Sequence, residues 1–172
     1  MPITPLISAA ELQTLCAQLG QQISHDYAGK NLLLVGILKG CQPFLSDLSR
    51  QISLPVEISY MKIRSYTGIA SNGNIHLELD TDIPITDREV LLVEDIIDTG
   101  TTMVNVCAFL QGKQPKSLKV VSLLDKPSRR TKPFQPDYVG KVIKDVFVVG
   151  YGFDCDEQYR NLPYVGVYSA NE

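Results

Sequence analysis

At 172 residues the chain is long enough for one full hydrophobic core, and a formal net charge of −3 argues against general binding of nucleic acid or anionic membrane while leaving room for a local basic patch. A composition 44% hydrophobic and 20% charged excludes a disordered or fibrous chain. Cys16, Cys41, Cys107 and Cys155 lie far apart with no Cys-x-x-Cys pair, which argues against a zinc site or disulfide framework and favours a reducing compartment.

The amino-terminal Met1-Pro2-Ile3-Thr4-Pro5-Leu6-Ile7 carries no basic segment followed by a long apolar core, and no apolar run reaches membrane length. A soluble, cytoplasmic protein is expected, with residues 1–172 forming one domain. Ser8-Ala9-Ala10-Glu11 has the pattern of a capping box, and Leu12, Leu15, Cys16, Leu19 and Ile23 keep helical spacing as far as a stop at Gly29.

Leu32-Leu33-Leu34-Val35-Gly36-Ile37-Leu38 is continuous enough to be a strand buried on both faces, ended by Lys39-Gly40 before a helical Phe44-Leu45-Ser46-Asp47-Leu48. From the residues alone, Lys39 is a solvated strand tip. Val56 to Ile63 and Asn74 to Leu79 alternate as strands. The polar, glycine-punctuated connection 64–73 between them is long enough to suggest a lid. His25 and His76 have no partner at ligand spacing and are read as structural.

Val90-Leu91-Leu92-Val93-Glu94-Asp95-Ile96-Ile97-Asp98-Thr99-Gly100-Thr101-Thr102 is the most informative stretch: a buried strand, two adjacent acids, then a polar loop opening an amphipathic helix. Thr99, Gly100, Thr101 and Thr102 offer successive amides and three hydroxyls at a helix start, where unpaired N–H groups and the macrodipole favour an anion. Neither the Gly-Lys-Ser/Thr ending of the triphosphatase loop nor the three spaced glycines of the dinucleotide fingerprint is present.

Gly112 and Pro115 end that helix, and Leu118 to Leu124 supplies another buried strand, with Asp125-Lys126-Pro127 at its carboxyl end. Ser128-Arg129-Arg130-Thr131-Lys132 is most simply a solvated basic loop, with an interface or phosphate contact as the functional alternative. Two short extended pieces, 136–140 and 146–152, and a closing strand 164–168 complete an α/β pattern with its site along the carboxyl ends of the strands.

The central string closely resembles the phosphoribosyl-diphosphate-binding signature of the type I phosphoribosyltransferases, and Val-Glu-Asp-Ile-Ile-Asp-Thr-Gly is most similar to their hypoxanthine-guanine branch. The resemblance extends over about residues 30–168 through four motifs in the family's order. It implies a central, mostly parallel sheet flanked by helices, with a core of about residues 30–125. A small hood, formed by the carboxy-terminal segment with amino-terminal residues, would cover a base site.

By the same resemblance, Lys39 and Gly40 form a diphosphate-binding loop with a cis Leu38–Lys39 peptide, and Ser65-Tyr66 belongs to the closing lid. Glu94 and Asp95 hold ribose hydroxyls directly or through metal, and Thr99, Gly100, Thr101 and Thr102 bind the 5′-phosphate. Asp98 takes the proton from N7 of the base, Lys126 donates to the oxygen of a 6-oxopurine, Phe147 stacks, and Val148 reads the base through its backbone. Asp154, with Glu94 and Asp95, serves Mg2+, and Arg160 contacts diphosphate.

The activity implied is transfer of phosphoribose from phosphoribosyl diphosphate to hypoxanthine or guanine by a homodimer or homotetramer. The alternatives are a xanthine or pyrimidine phosphoribosyltransferase, or a nucleic-acid-binding regulator on the same fold.

Overall fold

A computed structural model of the chain describes residues 3–64 and 75–169. In chain order its elements are β1 (Ile3–Ile7), α1 (Ala9–Asp26), β2 (Leu32–Leu38), α2 (Gln42–Gln51), β3 (Glu57–Arg64), β4 (His76–Leu79), β5 (Glu89–Ile97), α3 (Thr101–Gln111), β6 (Ser117–Asp125), β7 (Tyr138–Val142), β8 (Val148–Val149) and β9 (Val165–Tyr168). A 3-10 turn, Pro127–Arg129, follows β6.

The larger sheet runs β4-β3-β2-β5-β6-β7, parallel throughout except for β4, which is antiparallel to β3. Its central strands are buried on both faces, as their unbroken apolar runs require. Leu32, Leu34, Leu91 and Val93 pack with Leu12, Cys16 and Phe44 of α1 and α2. Leu33, Val35, Val90 and Leu92 pack with Met103, Val106 and Leu110 of α3. Each of these large side chains contributes roughly 1.5–3 kcal/mol by leaving water.

β3 lies on one side of β2 and β5 on the other, so the sheet grows in opposite directions from that junction. A crevice therefore opens beyond the carboxyl ends of β2 and β5, where an α/β sheet accepts a ligand. The expected α/β architecture is thus the observed one.

A smaller antiparallel sheet, β1-β9-β8, forms the hood. β1 has no counterpart among the predicted elements, because Pro2 and Pro5 argue against a strand. It survives as an edge strand, where a missing N–H costs no ladder bond, with Pro5 opposite Gly166. Tyr151 anchors the hood to the first two helices: its hydroxyl donates to Asp47 Oδ2 at 2.5 Å and lies 3.6 Å from Cys16 Sγ.

Ser8 and Gly112 cap α1 and α3 as expected, with altered detail, and α1 ends at Asp26, short of the expected stop at Gly29. Ser8 caps α1 by accepting from the Glu11 amide at 3.1 Å, but the Glu11 carboxylate pairs with Lys141 instead of completing the box. Gly112 ends α3 with a right-handed φ of −60°, and the left-handed turn falls on Gln114 at φ +57°. No helix among the described residues is long and apolar enough to cross a membrane.

Candidate active site

The chain leaves β5 at Asp98, turns at Gly100 with φ +86°, and enters α3 at Thr101. Only glycine fits that turn without strain: its φ is left-handed, and a Cβ would stand 2.8 Å from the Lys132 carbonyl oxygen. The loop's carbonyl side is tied down, with Thr99 O accepting from the amides of Thr131 at 2.9 Å and Lys132 at 3.2 Å. Its amide side is not. Among the described residues, the N–H groups of Thr99, Gly100 and Thr102 donate to no protein acceptor, and Thr101 N has a long 3.4 Å contact to Thr99 Oγ1. Thr99, Gly100 and Thr102 line a cavity of about 100 Å³ together with Glu94 and Asp98. Such a concavity suits a phosphate.

Glu94 is buried, its Oε1 accepting from the Asp95 amide at 3.0 Å, while Asp95 is half-buried. Burial, and then the neighbouring Asp95 charge, hold the Glu94 carboxyl well above the usual carboxylate range. Burial raises Asp95 as well. The pair is therefore poised to receive hydroxyl donors or a cation. The Leu38–Lys39 peptide is cis, and Gly40 lies so close to the Asp95 carboxylate that a Cβ would collide with it. Gly152 in turn packs against the Gly40 carbonyl with φ +99°. β2, β5 and the hood thus meet at one point.

A second cavity, about 260 Å³, is lined by Asp95, Asp98, Lys126, Phe147, Val148 and Asp154 among others. Asp98 borders both cavities. Its carboxylate accepts from Arg129 Nε at 3.0 Å, and Arg129 Nη1 reaches Asp145 at 3.5 Å. Lys126 is buried at the end of its strand: it is 7% exposed, with Nζ 3.8 Å from Asp145. Phe147 is 54% exposed, with its ring edge-on to Tyr168 at 6.0 Å. A large aromatic left uncovered beside a buried amine invites a flat ligand. β8 is an edge strand, and the Phe147 carbonyl already accepts from the Tyr168 amide at 2.9 Å. Antiparallel alternation then turns the N–H and C=O of Val148 to the open edge.

A third cavity, about 420 Å³, gathers Lys39, Lys62, Arg64, Glu78, Glu157 and Arg160. Lys39 pairs with Glu157 at 2.5 Å, and Arg160 reaches Glu157 and Asp154, each at 3.1 Å. Lys62 and Arg64 share Glu78 at 2.8 Å each. These two cations were absent from the predicted site; their spacing of two on β3, which puts both on one face, was the available signal.

The structure therefore gathers Lys39 and Arg160 in the third cavity and Asp95, Asp154, Lys126, Phe147 and Val148 in the second, with Gly40 against the Asp95 carboxylate. Asp98 stands on the border of the second cavity with the first. Glu94 lines the smaller cavity, while Asp95, hydrogen-bonded to it, and Asp154 line the second. No cluster of three or more His, Cys, Asp or Glu suited to a metal occurs among the described residues. Ser65 and Tyr66 lie outside those residues.

Residues 8–158 match the model of the phosphoribosyl transferase domain. The chain is 45% identical over 162 residues to the hypoxanthine-guanine phosphoribosyltransferase of Staphylococcus aureus, covering 94% of this chain and 90% of that protein. It superposes on the crystal structure of a hypoxanthine phosphoribosyltransferase from Staphylococcus aureus with a TM-score of 0.93 at 44% identity, over 96% of this chain and 90% of the other. A hypoxanthine-guanine phosphoribosyltransferase from Bacillus anthracis, with a HEPES molecule in its active site, gives a TM-score of 0.94 at 39% identity, over 98% and 100% of the two chains. With most of its length matched in sequence and in fold, the chain belongs to the phosphoribosyl transferase domain family.

Proposed function

We propose that the protein is a purine-salvage enzyme of the cytoplasm. It transfers the 5-phosphoribosyl group of phosphoribosyl diphosphate to hypoxanthine, and to guanine, releasing diphosphate. The observation that carries this reading is the place of Asp98, on the border that the cavity lined by Thr99, Gly100 and Thr102 shares with a cavity holding a buried lysine and an exposed aromatic ring.

The 5′-phosphate takes the free amides and hydroxyls of Thr99, Gly100, Thr101 and Thr102. Glu94 and Asp95 accept from the ribose hydroxyls, and Lys39, Lys62, Arg64 and Arg160 surround the diphosphate. The purine lies on Phe147. Lys126 donates to the 6-oxo group, and the Val148 carbonyl accepts from the N1–H beside it. Adenine presents the reverse pattern, a donor at position 6 and an acceptor at N1, so it leaves both protein groups unpaired. In the reaction the C1′–N9 bond forms as the C1′–diphosphate bond breaks. Asp98 takes the N7 proton, and its negative charge stabilises the cationic ribose ring.

The family implies Mg2+. Asp95 and Asp154, carboxylates on one wall, fit an ion that takes one or two protein oxygens and leaves its other positions to water and substrate phosphate. Bound there, it would neutralise the leaving diphosphate. Ser65-Tyr66 as a lid and assembly as a homodimer or homotetramer belong to the same reading, on the strength of the sequence resemblance.

Steady-state assays with phosphoribosyl diphosphate, Mg2+ and hypoxanthine, guanine, xanthine, adenine or uracil test the proposal. Turnover of hypoxanthine and guanine, with adenine and uracil unused, is expected; turnover of uracil alone overturns it.

A further inference from the structure

We infer that Arg130 is a positioning residue that fixes the separation of Asp98 and Lys126. This rests on the phosphoribosyl-transfer reading and adds to it a residue that makes no contact with the base. Arg130 belongs to the basic run expected to be a solvated loop, yet its side chain is only 15% exposed and each of its three guanidinium nitrogens has a protein acceptor. Nη2 donates to Asp125 Oδ1 at 2.6 Å, and Nε donates to the Phe134 carbonyl at 3.0 Å. Nη1 lies among three carbonyls: Asp98 at 2.9 Å, Ile97 at 3.4 Å and Lys126 at 3.5 Å.

The location gives these contacts their meaning. Ile97↔Asp125 is the last paired position between β5 and β6. Asp98 and Lys126 are the next residue on each strand, where the ladder has stopped and the two backbones are free to separate. There the Lys126 amide still donates to Ile97 O at 2.9 Å, and a single Arg130 nitrogen holds the carbonyls of both functional residues. Its charge is held in place by Asp125, which is 3% exposed. N7 and O6 lie on the same edge of a 6-oxopurine, so their two protein partners must keep a fixed spacing. A planar fork with donors in set directions can impose that spacing; a lysine ammonium, a single point on a flexible stem, cannot. The arginine stem also lies against the turn of the phosphate loop, with Cδ 3.2 Å from where a Gly100 Cβ would stand.

The test compares wild type with Arg130→Lys, Arg130→Ala and Asp125→Asn. The measurements are kcat and KM for hypoxanthine, affinity for phosphoribosyl diphosphate by calorimetry without base, and folded fraction by circular dichroism. Arg130→Lys, which keeps the stem and the charge, is expected to lower kcat by roughly 10- to 100-fold and raise KM for hypoxanthine, as small misplacements of reacting groups do. Its affinity for phosphoribosyl diphosphate should stay within about twofold of wild type, because the stem against the loop is kept. Asp125→Asn moves the same parameters in the same direction by less, and added guanidinium restores part of the kcat lost in Arg130→Ala. If Arg130→Ala does not fold, the other two variants carry the test. A folded Arg130→Lys with wild-type kcat and KM overturns the inference, as does a loss in every parameter matching a loss of folded protein. Failure of the parent reading shows up separately, as wild-type protein that does not turn over hypoxanthine.

Discussion

Lys39 and Glu157, 118 residues apart in the chain, form an ion pair of 2.5 Å across the mouth of the crevice. The same carboxylate reaches Arg160 at 3.1 Å, so one side chain occupies two of the cations that the proposed reaction assigns to diphosphate. Hydrogen bonds from Lys39 and then Arg160 hold the Glu157 carboxyl below its ordinary range. With a lowered value the pairing is present through neutral pH and is lost only as pH falls through that value. On the proposed reaction, Glu157 competes with diphosphate for both cations. Glu157→Gln is expected to tighten inhibition by diphosphate by roughly two- to fivefold, the scale of an exposed ion pair. Product-inhibition kinetics check this, and unchanged or weaker inhibition contradicts it.

Glu94 sets stability against function. A carboxyl whose folded value is raised favours the protonated state in the fold; its contribution to stability is full below the unfolded value and is lost as pH rises through the folded one. Glu94→Gln removes that loss. The ligand-free variant should therefore melt higher than wild type near pH 8, with the gap closing as pH falls toward 5. Its affinity for phosphoribosyl diphosphate should fall because the ribose hydroxyls lose an acceptor. Thermal melts across that range decide the first point: a gap that widens toward acid reverses the sign of the argument.

Gly100→Ala puts a side chain on a left-handed residue, at a cost of about 1–2 kcal/mol, and pushes it against Lys132 O. The turn that aims the amides of Thr99 to Thr102 must then shift. KM for phosphoribosyl diphosphate is expected to rise by roughly tenfold or more, since amide hydrogen bonds to a phosphate are charge-assisted and weaken steeply when misaimed. An unchanged KM would mean that phosphate is held elsewhere.

Phe147→Ala tests the platform. The ring is more than half exposed, so its removal should cost little stability. Stacking is worth about 0.5–1.5 kcal/mol, so KM for hypoxanthine should rise by up to about tenfold with kcat nearly kept. A large loss of stability with an unchanged KM would make Phe147 a packing residue.

The strands and helices were legible where burial is dictated by an unbroken apolar run. Leu32 to Leu38 and Val90 to Val93 read as strands buried on both faces, and β2 has the predicted bounds. β1 was hidden because Pro5 disqualifies a central strand but is harmless at an edge, a distinction that depends on β9 arriving from the far end of the chain. The positions of Asp98, Lys126 and Phe147 followed from strand ends and family motifs. Arg130 did not, since nothing local separates an arginine that folds back onto carbonyls from one that extends into water. Lys62 and Arg64 were obscured similarly: on β3 they read as the outward face of an alternating strand, and only the fold turns that face toward Lys39 and Arg160.

The central claim is that Asp98, between the phosphate loop and the base cavity, accepts the purine proton. It is tested most directly by the kcat of Asp98→Asn with hypoxanthine, alongside its affinity for phosphoribosyl diphosphate. Asparagine keeps the shape but neither accepts the proton nor supplies the charge, so kcat is expected to fall by about 10²–10⁴ while binding changes only modestly. A variant that turns over near the wild-type rate would contradict the account.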